Sequence, residues 1–228
     1  MTFTPLLIRM GLLLDLSFDA YPTQVFGWAY ETLALPQNAT HYGMVTEGEC
    51  LLKDAWGEFR LTQGMYFSCA SEVVVQGEAG KGLVISRLDY SGLRQIGGPL
   101  EAEGRLRYID GCTDTLLISP PRFGDPCLNH LHIPPYTDQS PHTHPSERIG
   151  VILRGSGECR TPEGVFPLSP GMGWRIPTGC LHSFYTQEQS IDVVAWHPDS
   201  DFGPTDEDHP MKNRTILPAK LYEVPLSL

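Results

Sequence analysis

Apolar and polar residues alternate along this chain in short runs that end on glycine or proline. His41–Cys50 (HYGMVTEGEC), Leu128–Ile133 (LNHLHI), Arg148–Gly155 (RIGVILRG) and Ile191–Trp196 (IDVVAW) all read this way. A period of two turns successive side chains to opposite faces of an extended strand. No stretch carries a 3.6-residue period between credible caps, so the predicted elements are strands of antiparallel sheets, closed into a sandwich or barrel. The apolar start Leu6–Leu14 is broken by Arg9 and closed by Asp15. It is too short for a membrane span, lacks a small-residue cleavage site, and reads as a buried strand.

The pattern occurs twice. His41-Tyr-Gly43-Met-Val-Thr-Glu-Gly48-Glu-Cys50 resembles Arg148-Ile-Gly150-Val-Ile-Leu-Arg-Gly155-Ser-Gly-Glu-Cys159 with two extra residues after Gly155, and Leu61-Thr-Gln-Gly64-Met65 resembles Leu168-Ser-Pro-Gly171-Met172. Gly43 and Gly64 stand 21 residues apart, as do Gly150 and Gly171. Self-similarity at a fixed interval marks a duplication. Ser91–Gly104, rich in glycine and polar residues, is the expected linker, which divides the chain into residues 1–95 and 96–228.

Composition narrows the function classes. With 228 residues, 41% of them hydrophobic, the chain can bury one large core or two small ones, and 20 Pro with 23 Gly leave little room for long helices. A net charge of −11 and a pI near 5.1 argue against nucleic acid or an anionic membrane as partner and point to a small molecule. Cys50, Cys69, Cys112, Cys127, Cys159 and Cys180 are scattered without Cys-x-x-Cys spacing, so they read as reduced thiols of a cytoplasmic protein.

Chemistry concentrates in the second copy. His142-Thr-His144 places two imidazoles at i and i+2 on one side of an extended segment, and His182 follows 38 residues after His144 within Gly171-(x5)-Pro177-Thr-Gly179-Cys-Leu-His182. Three neutral imidazoles on one side of an Fe, Mn, Ni, Cu or Zn ion leave its remaining positions open. These residues resemble the two motifs of the cupin superfamily. The second, G(x)5PxG(x)2H, is matched by Gly171, Pro177, Gly179 and His182; the first, HxH(x)3-4E(x)6G, by His142, His144 and Gly155. The resemblance implies an all-β fold of two tandem double-stranded β-helix (jelly-roll) barrels, a bicupin, with one divalent transition metal per chain bound in the C-terminal barrel.

One position departs from the family pattern. Where it has glutamate, this chain has Arg148, with Glu147 one residue early. Since a one-residue slip turns a strand side chain to the opposite face, there are two readings. A β-bulge rotates Glu147 inward as a fourth ligand, or the site has three histidines with Arg148 beside them, either anchoring an anion or ion-paired outward. The N-terminal copy lacks the ligands: ungapped alignment sets Leu35, Gln37 and Val75 against His142, His144 and His182, a gapped one deletes the HxH loop, and His41, opposite Arg148, reads as a structural histidine.

The three-histidine pattern resembles family members that hold iron in oxygen-using enzymes. It implies a mononuclear non-haem iron dioxygenase with Fe(II) on His142, His144 and His182 and Arg148 holding an anionic substrate. The alternatives are a non-redox lyase, decarboxylase or isomerase, and a non-catalytic ligand-binding protein. His130 and His132 either extend into the cavity or orient a ligand through its other ring nitrogen, or else they lie on a half-exposed face opposite Leu131 and Ile133. Trp196–Met211, dense in carboxylate and proline, reads as an irregular tail over a barrel mouth or subunit interface. The N-terminal copy is expected to pack on the other barrel or to support a homodimer through a sheet edge.

Overall fold

Alternation becomes strand pairing throughout. This computed structural model describes residues 2–70 and 72–211, and in them one turn of 3-10 helix, Ile109–Gly111, is the only helical element. The first part of the chain forms β1 (Thr4–Leu7), β2 (Gly11–Leu16), β3 (Thr23–Ala29), β4 (Thr32–Ala34), β5 (Ala39–Asp54), β6 (Gly57–Thr62), β7 (Tyr66–Ala70), β8 (Val74–Gln76), β9 (Gly80–Leu88) and β10 (Gln95–Gly97). The second forms β11 (Leu106–Arg107), β12 (Thr113–Ile118), β13 (Cys127–Ile133), β14 (Arg148–Gly155), β15 (Gly157–Thr161), β16 (Gly164–Leu168), β17 (Met172–Ile176), β18 (Ser183–Tyr185) and β19 (Ile191–His197).

One sheet runs β1-β17-β14-β19-β13-β12-β11 and faces a smaller one, β16-β15-β18. The other large sheet runs β10-β7-β5-β9-β3-β2, with β6 and β8 on the far part of β5 and β4 on β8. The central order β7-β5-β9-β3-β2 is that of β17-β14-β19-β13-β12, so the sequence repeat is also a repeat of pairing. Both copies shift register at the same place, between Val45 and Glu47 against β9 and between Ile152 and Arg154 against β19. Gly48 and Gly155 then turn the chain with φ of +66° and +75°, a conformation that favours glycine. A Cβ on Gly155 would lie 1.7 Å from the Ser190 carbonyl oxygen.

The side chains of β5 and β14 sort into two layers. Tyr42 and Met44 on β5, and Ile149 and Val151 on β14, meet in one core that joins the two large sheets, together with Val194 and Trp196 of β19. The opposite faces turn into separate interiors. Val45, Phe67, Val75, Trp28, Leu33 and Leu35 fill that of the first copy; Ile152, Trp174, Ile176, Phe184, Ile191 and Val193 belong to that of the second. Each fully buried aliphatic side chain contributes about 1.5–3 kcal/mol. The N-terminal copy therefore packs directly against its neighbour, one of its two expected roles.

Three expectations need correction. Leu6–Leu14 is two strands in two sheets: β1 pairs with β17 of the second copy, while β2, after Gly11 at φ +98°, pairs with β3. Thr4–Leu7 therefore lies across the division at residue 95. Ser91–Gly104 is not wholly a linker, because Gln95–Gly97 pairs with β7. That edge strand on β7 corresponds to β1 on β17. No helix is long and apolar enough to cross a membrane among the described residues.

Candidate metal centre

Two short extended segments bring the histidines together. His142 and His182 form an isolated antiparallel bridge, His142 N donating to His182 O at 2.9 Å and His182 N to His142 O at 3.0 Å. Two residues on, the Gly179 amide donates to the His144 carbonyl at 3.0 Å, with Gly179 at φ +69° making the turn into this pairing. His142 and His144 sit on one side of their segment, as the i, i+2 spacing requires. The ligand nitrogens of His142, His144 and His182 all lie within 4.8 Å of one another.

The protonation of the rings suits a metal. A carbonyl can only accept, so the Nδ1 atoms of His142 and His182 are the donors to Ser140 O (2.9 Å) and Cys180 O (3.0 Å). These bonds fix both rings as Nδ1–H tautomers and leave Nε2 a free lone pair. His182 Nε2 is buried without a partner. Burial, with Arg148 and the neighbouring imidazoles adding to it, pushes His144 down to about 3; burial also brings His182 down to about 4 against the opposing bond to Cys180. His144 and His182 are therefore neutral at physiological pH, and an orphaned buried acceptor among three converging imidazoles is what a transition metal would satisfy.

Arg148, rather than Glu147, lies with the histidines. Arg148 begins β14 on the face shared by Gly150 and Ile152, so strand alternation turns it inward. The register shift that could have rotated Glu147 falls instead at Ile152/Arg154. Glu147 Oε2 accepts from Arg175 Nε at 2.9 Å, and Arg175 also reaches Asp19. Burial holds the Glu147 carboxyl above its ordinary range despite that pairing. The fourth-ligand reading of Glu147 is not what the strand geometry provides.

The guanidinium is buried and incompletely matched. Arg148 Nη1 donates to Ser146 Oγ at 2.6 Å, Glu147 O at 3.0 Å and Ser146 O at 3.2 Å, and Nε has no partner. A buried donor without an acceptor costs about 1–3 kcal/mol. Burial accordingly lowers the affinity of Arg148 for its proton. The same cavity of about 240 Å³ is lined by the three histidines and Arg148 on one side and by Leu131, Trp174, Ile176, Phe184, Val193 and Ala195 elsewhere. Trp174 can lie there because Gly150 has no side chain: a Cβ would come within 2.6 Å of its ring.

His197 is a cavity residue that the sequence reading missed. Burial, then Arg148 and His144, hold it well below the ordinary imidazole range. The signal was available: Ile191, Val193 and Ala195 share the inward face of β19, and the next position of that face is 197. Gln139, Asn129 and Asp114 also line the cavity, with Asn129 Nδ2 donating to Asp114 Oδ1 at 2.9 Å. Burial raises the Asp114 carboxyl above its ordinary range.

His130 and His132 do not enter the cavity. On β13 it is Asn129 and Leu131 that face it, and both histidines turn to Asp192, at 2.8 Å and 3.0 Å from its Oδ1. Arg154 holds the other oxygen at 2.7 Å. His41 is structural, bonded through Nδ1 to Ser86 Oγ at 2.8 Å. In the first copy Val75, at the place of His182, pairs with Leu33. Leu33 and Leu35, rather than Leu35 and Gln37, therefore stand where His142 and His144 do, because an ungapped alignment misses two extra residues before β5 in the first copy.

Comparison with known proteins agrees with the fold. The cupin domain family matches residues 129–196. No curated protein matches the chain. Among solved structures, protein Ylba from E. coli is similar at a TM-score of 0.62 and 16% identity, covering 90% of this chain and 93% of that one. A variant of salicylate 1,2-dioxygenase from Pseudoaminobacter salicylatoxidans, in complex with gentisate, superimposes at 0.59 and 10% identity, covering 77% and 68%. The 11S globulin from Wrightia tinctoria, described with an auxin binding site, does so at 0.54 and 11%, covering 87% and 84%. The chain thus carries a cupin domain and has an all-β cupin fold, which these similarities share among proteins of different function.

Proposed function

We propose that the protein is a bicupin enzyme acting on a small carboxylate, first of all a mononuclear non-haem iron dioxygenase. In this reading residues 1–95 form a copy without metal ligands, and residues 96–228, of which 212–228 lie outside the described part, form the copy that holds one divalent transition metal. The recurrence of strand order, register shift and turn glycines supports the two-copy reading. The observation that carries the catalytic reading is the meeting of three imidazoles and a buried guanidinium, unpaired with any carboxylate, at one largely apolar cavity.

His142, His144 and His182 would hold the ion through Nε2, their orientation set by Nδ1–H donation to backbone at His142 and His182. When bound, the ion supplies Lewis-acid and redox chemistry at a position open to substrate and dioxygen. Arg148 binds the substrate carboxylate through donors that the protein leaves unmatched. Trp174, Ile176, Phe184 and Leu131 exclude water and face the apolar body of the substrate. His197 lines the same cavity as Arg148 and His144 and would take part in orienting the bound anion.

The test is metal analysis of the untagged protein as purified, followed by oxygen-uptake assays with aromatic and aliphatic carboxylates. Stoichiometric iron and carboxylate-dependent oxygen uptake are expected. Zinc, nickel or manganese with undiminished turnover under anaerobic conditions would transfer the assignment to lyase, decarboxylase or isomerase chemistry. A metal-free protein that binds carboxylates without turnover would make it a ligand-binding cupin.

A further inference from the structure

The loop that holds Arg148 is itself held from the other half of the molecule. Arg148 Nη1 donates to Ser146 Oγ at 2.6 Å, and Ser146 Oγ donates in turn to Asp199 Oδ1 at 2.6 Å. The second oxygen of Asp199 accepts from the hydroxyl of Tyr21. Tyr21 lies between β2 and β3 of the N-terminal copy, and its ring has the Arg87 guanidinium 5.7 Å from its centroid. Asp199 follows β19, so the run of hydrogen bonds crosses from one copy to the site of the other.

The order of groups in that run has an electrostatic consequence. Serine stands between the guanidinium and the carboxylate, so Arg148 is oriented without being neutralised by direct ion pairing. Both oxygens of Asp199 are occupied, one by Ser146 and one by Tyr21, which keeps the carboxylate from turning onto Arg148. A guanidinium paired to its own protein carboxylate would offer an incoming anion little. One left with a buried, unpartnered Nε is poised for one.

We infer that Tyr21, Asp199 and Ser146 are positioning residues for substrate recognition, and that the N-terminal copy thereby sets the anion selectivity of the C-terminal site. The inference rests on the proposed role of Arg148 as the carboxylate anchor. Neither Tyr21 nor Asp199 needs to touch substrate for this role. They act through Ser146, by fixing where the guanidinium points and how much charge it presents.

The experiment compares binding of benzoate with that of its neutral isostere benzamide, followed by tryptophan fluorescence and calorimetry on the full chain with its metal as purified. The share of binding that comes from the ion is common to all variants, so the ratio of the two affinities reads the guanidinium. Arg148→Met should remove most of the preference for benzoate. Tyr21→Phe and Ser146→Ala should each lower that preference by about five- to tenfold, with benzamide affinity and metal content unchanged, and Ser146→Thr should restore it. Should Tyr21→Phe fail to fold, the Ser146→Ala and Ser146→Thr pair decides the matter alone. If Arg148→Met loses the preference while Tyr21→Phe, Ser146→Ala or both keep it, the relay is refuted and the anchor stands. If Arg148→Met keeps it, both fall.

Discussion

The two copies share a frame and differ in what fills it. In both, a glycine on the central strand lets an aromatic ring from the neighbouring strand lie across it: Phe67 over Gly43, Trp174 over Gly150. Beyond that ring Leu33, Leu35 and Val75 of the first copy pack together at exposures of 7% or less. The second has His142, His144 and His182 at those places and a cavity of about 240 Å³ between them and the ring. A few positions therefore decide whether this architecture is a core or a site.

Exchanging residues between the copies breaks the comparison most sharply. His182→Val, which installs the residue of the first copy, should abolish metal binding as measured by plasma mass spectrometry. The chain should stay folded, with an apo melting temperature no lower than that of wild type, because an unpartnered buried nitrogen is removed. Full metal occupancy in this variant would refute the site. The reciprocal Val75→His should gain no metal, since its neighbours are leucines, and should cost about 2–4 kcal/mol in urea unfolding by placing an imidazole in a dry core.

A pH series on metal-free protein gives the next largest effect. His182 and His144 fall from 6.5 to about 4 and about 3 in the folded chain. Below pH 6.5 the unfolded state takes up protons that the folded state refuses, so the stabilisation from keeping these rings neutral is complete above that pH. It declines as the pH drops and is gone once the pH has fallen through the folded values. Urea midpoints of apo wild type should fall over this window more steeply than those of His182→Val. Parallel slopes would mean that the rings are not held neutral by burial.

Glu147→Gln should have the smallest effect. Losing its charge on Arg175 costs about 1 kcal/mol or less for a pair with Arg175 partly exposed, and metal affinity should be unchanged in a chelator competition. A loss of tenfold or more would restore Glu147 as a ligand.

How much of this was legible in the sequence follows from the range of the forces involved. The repeat was readable because Gly48, Gly64, Gly155 and Gly171 all take positive φ, and such positions leave a mark at fixed intervals. The histidine triad was readable because i, i+2 spacing and a paired strand are local geometry. The choice between Glu147 and Arg148 turned on where a bulge falls, which pairing with β19 decides. Tyr21, Ser146 and Asp199 are brought together by the packing of two sheets, and nothing in the spacing from 21 to 199 announces it. The splitting of Leu6–Leu14 between two sheets was hidden for the same reason.

That split gives the chain an unusual order of assembly. Thr4–Leu7 leave the ribosome long before their partners Met172–Arg175. The flank of the seven-stranded sheet thus stays open until β17 is made and is sealed by a segment that has waited for it. A fragment beginning at residue 96 would leave β17 with a bare flank of unpaired amides and carbonyls, the kind of surface that recruits strands from other molecules.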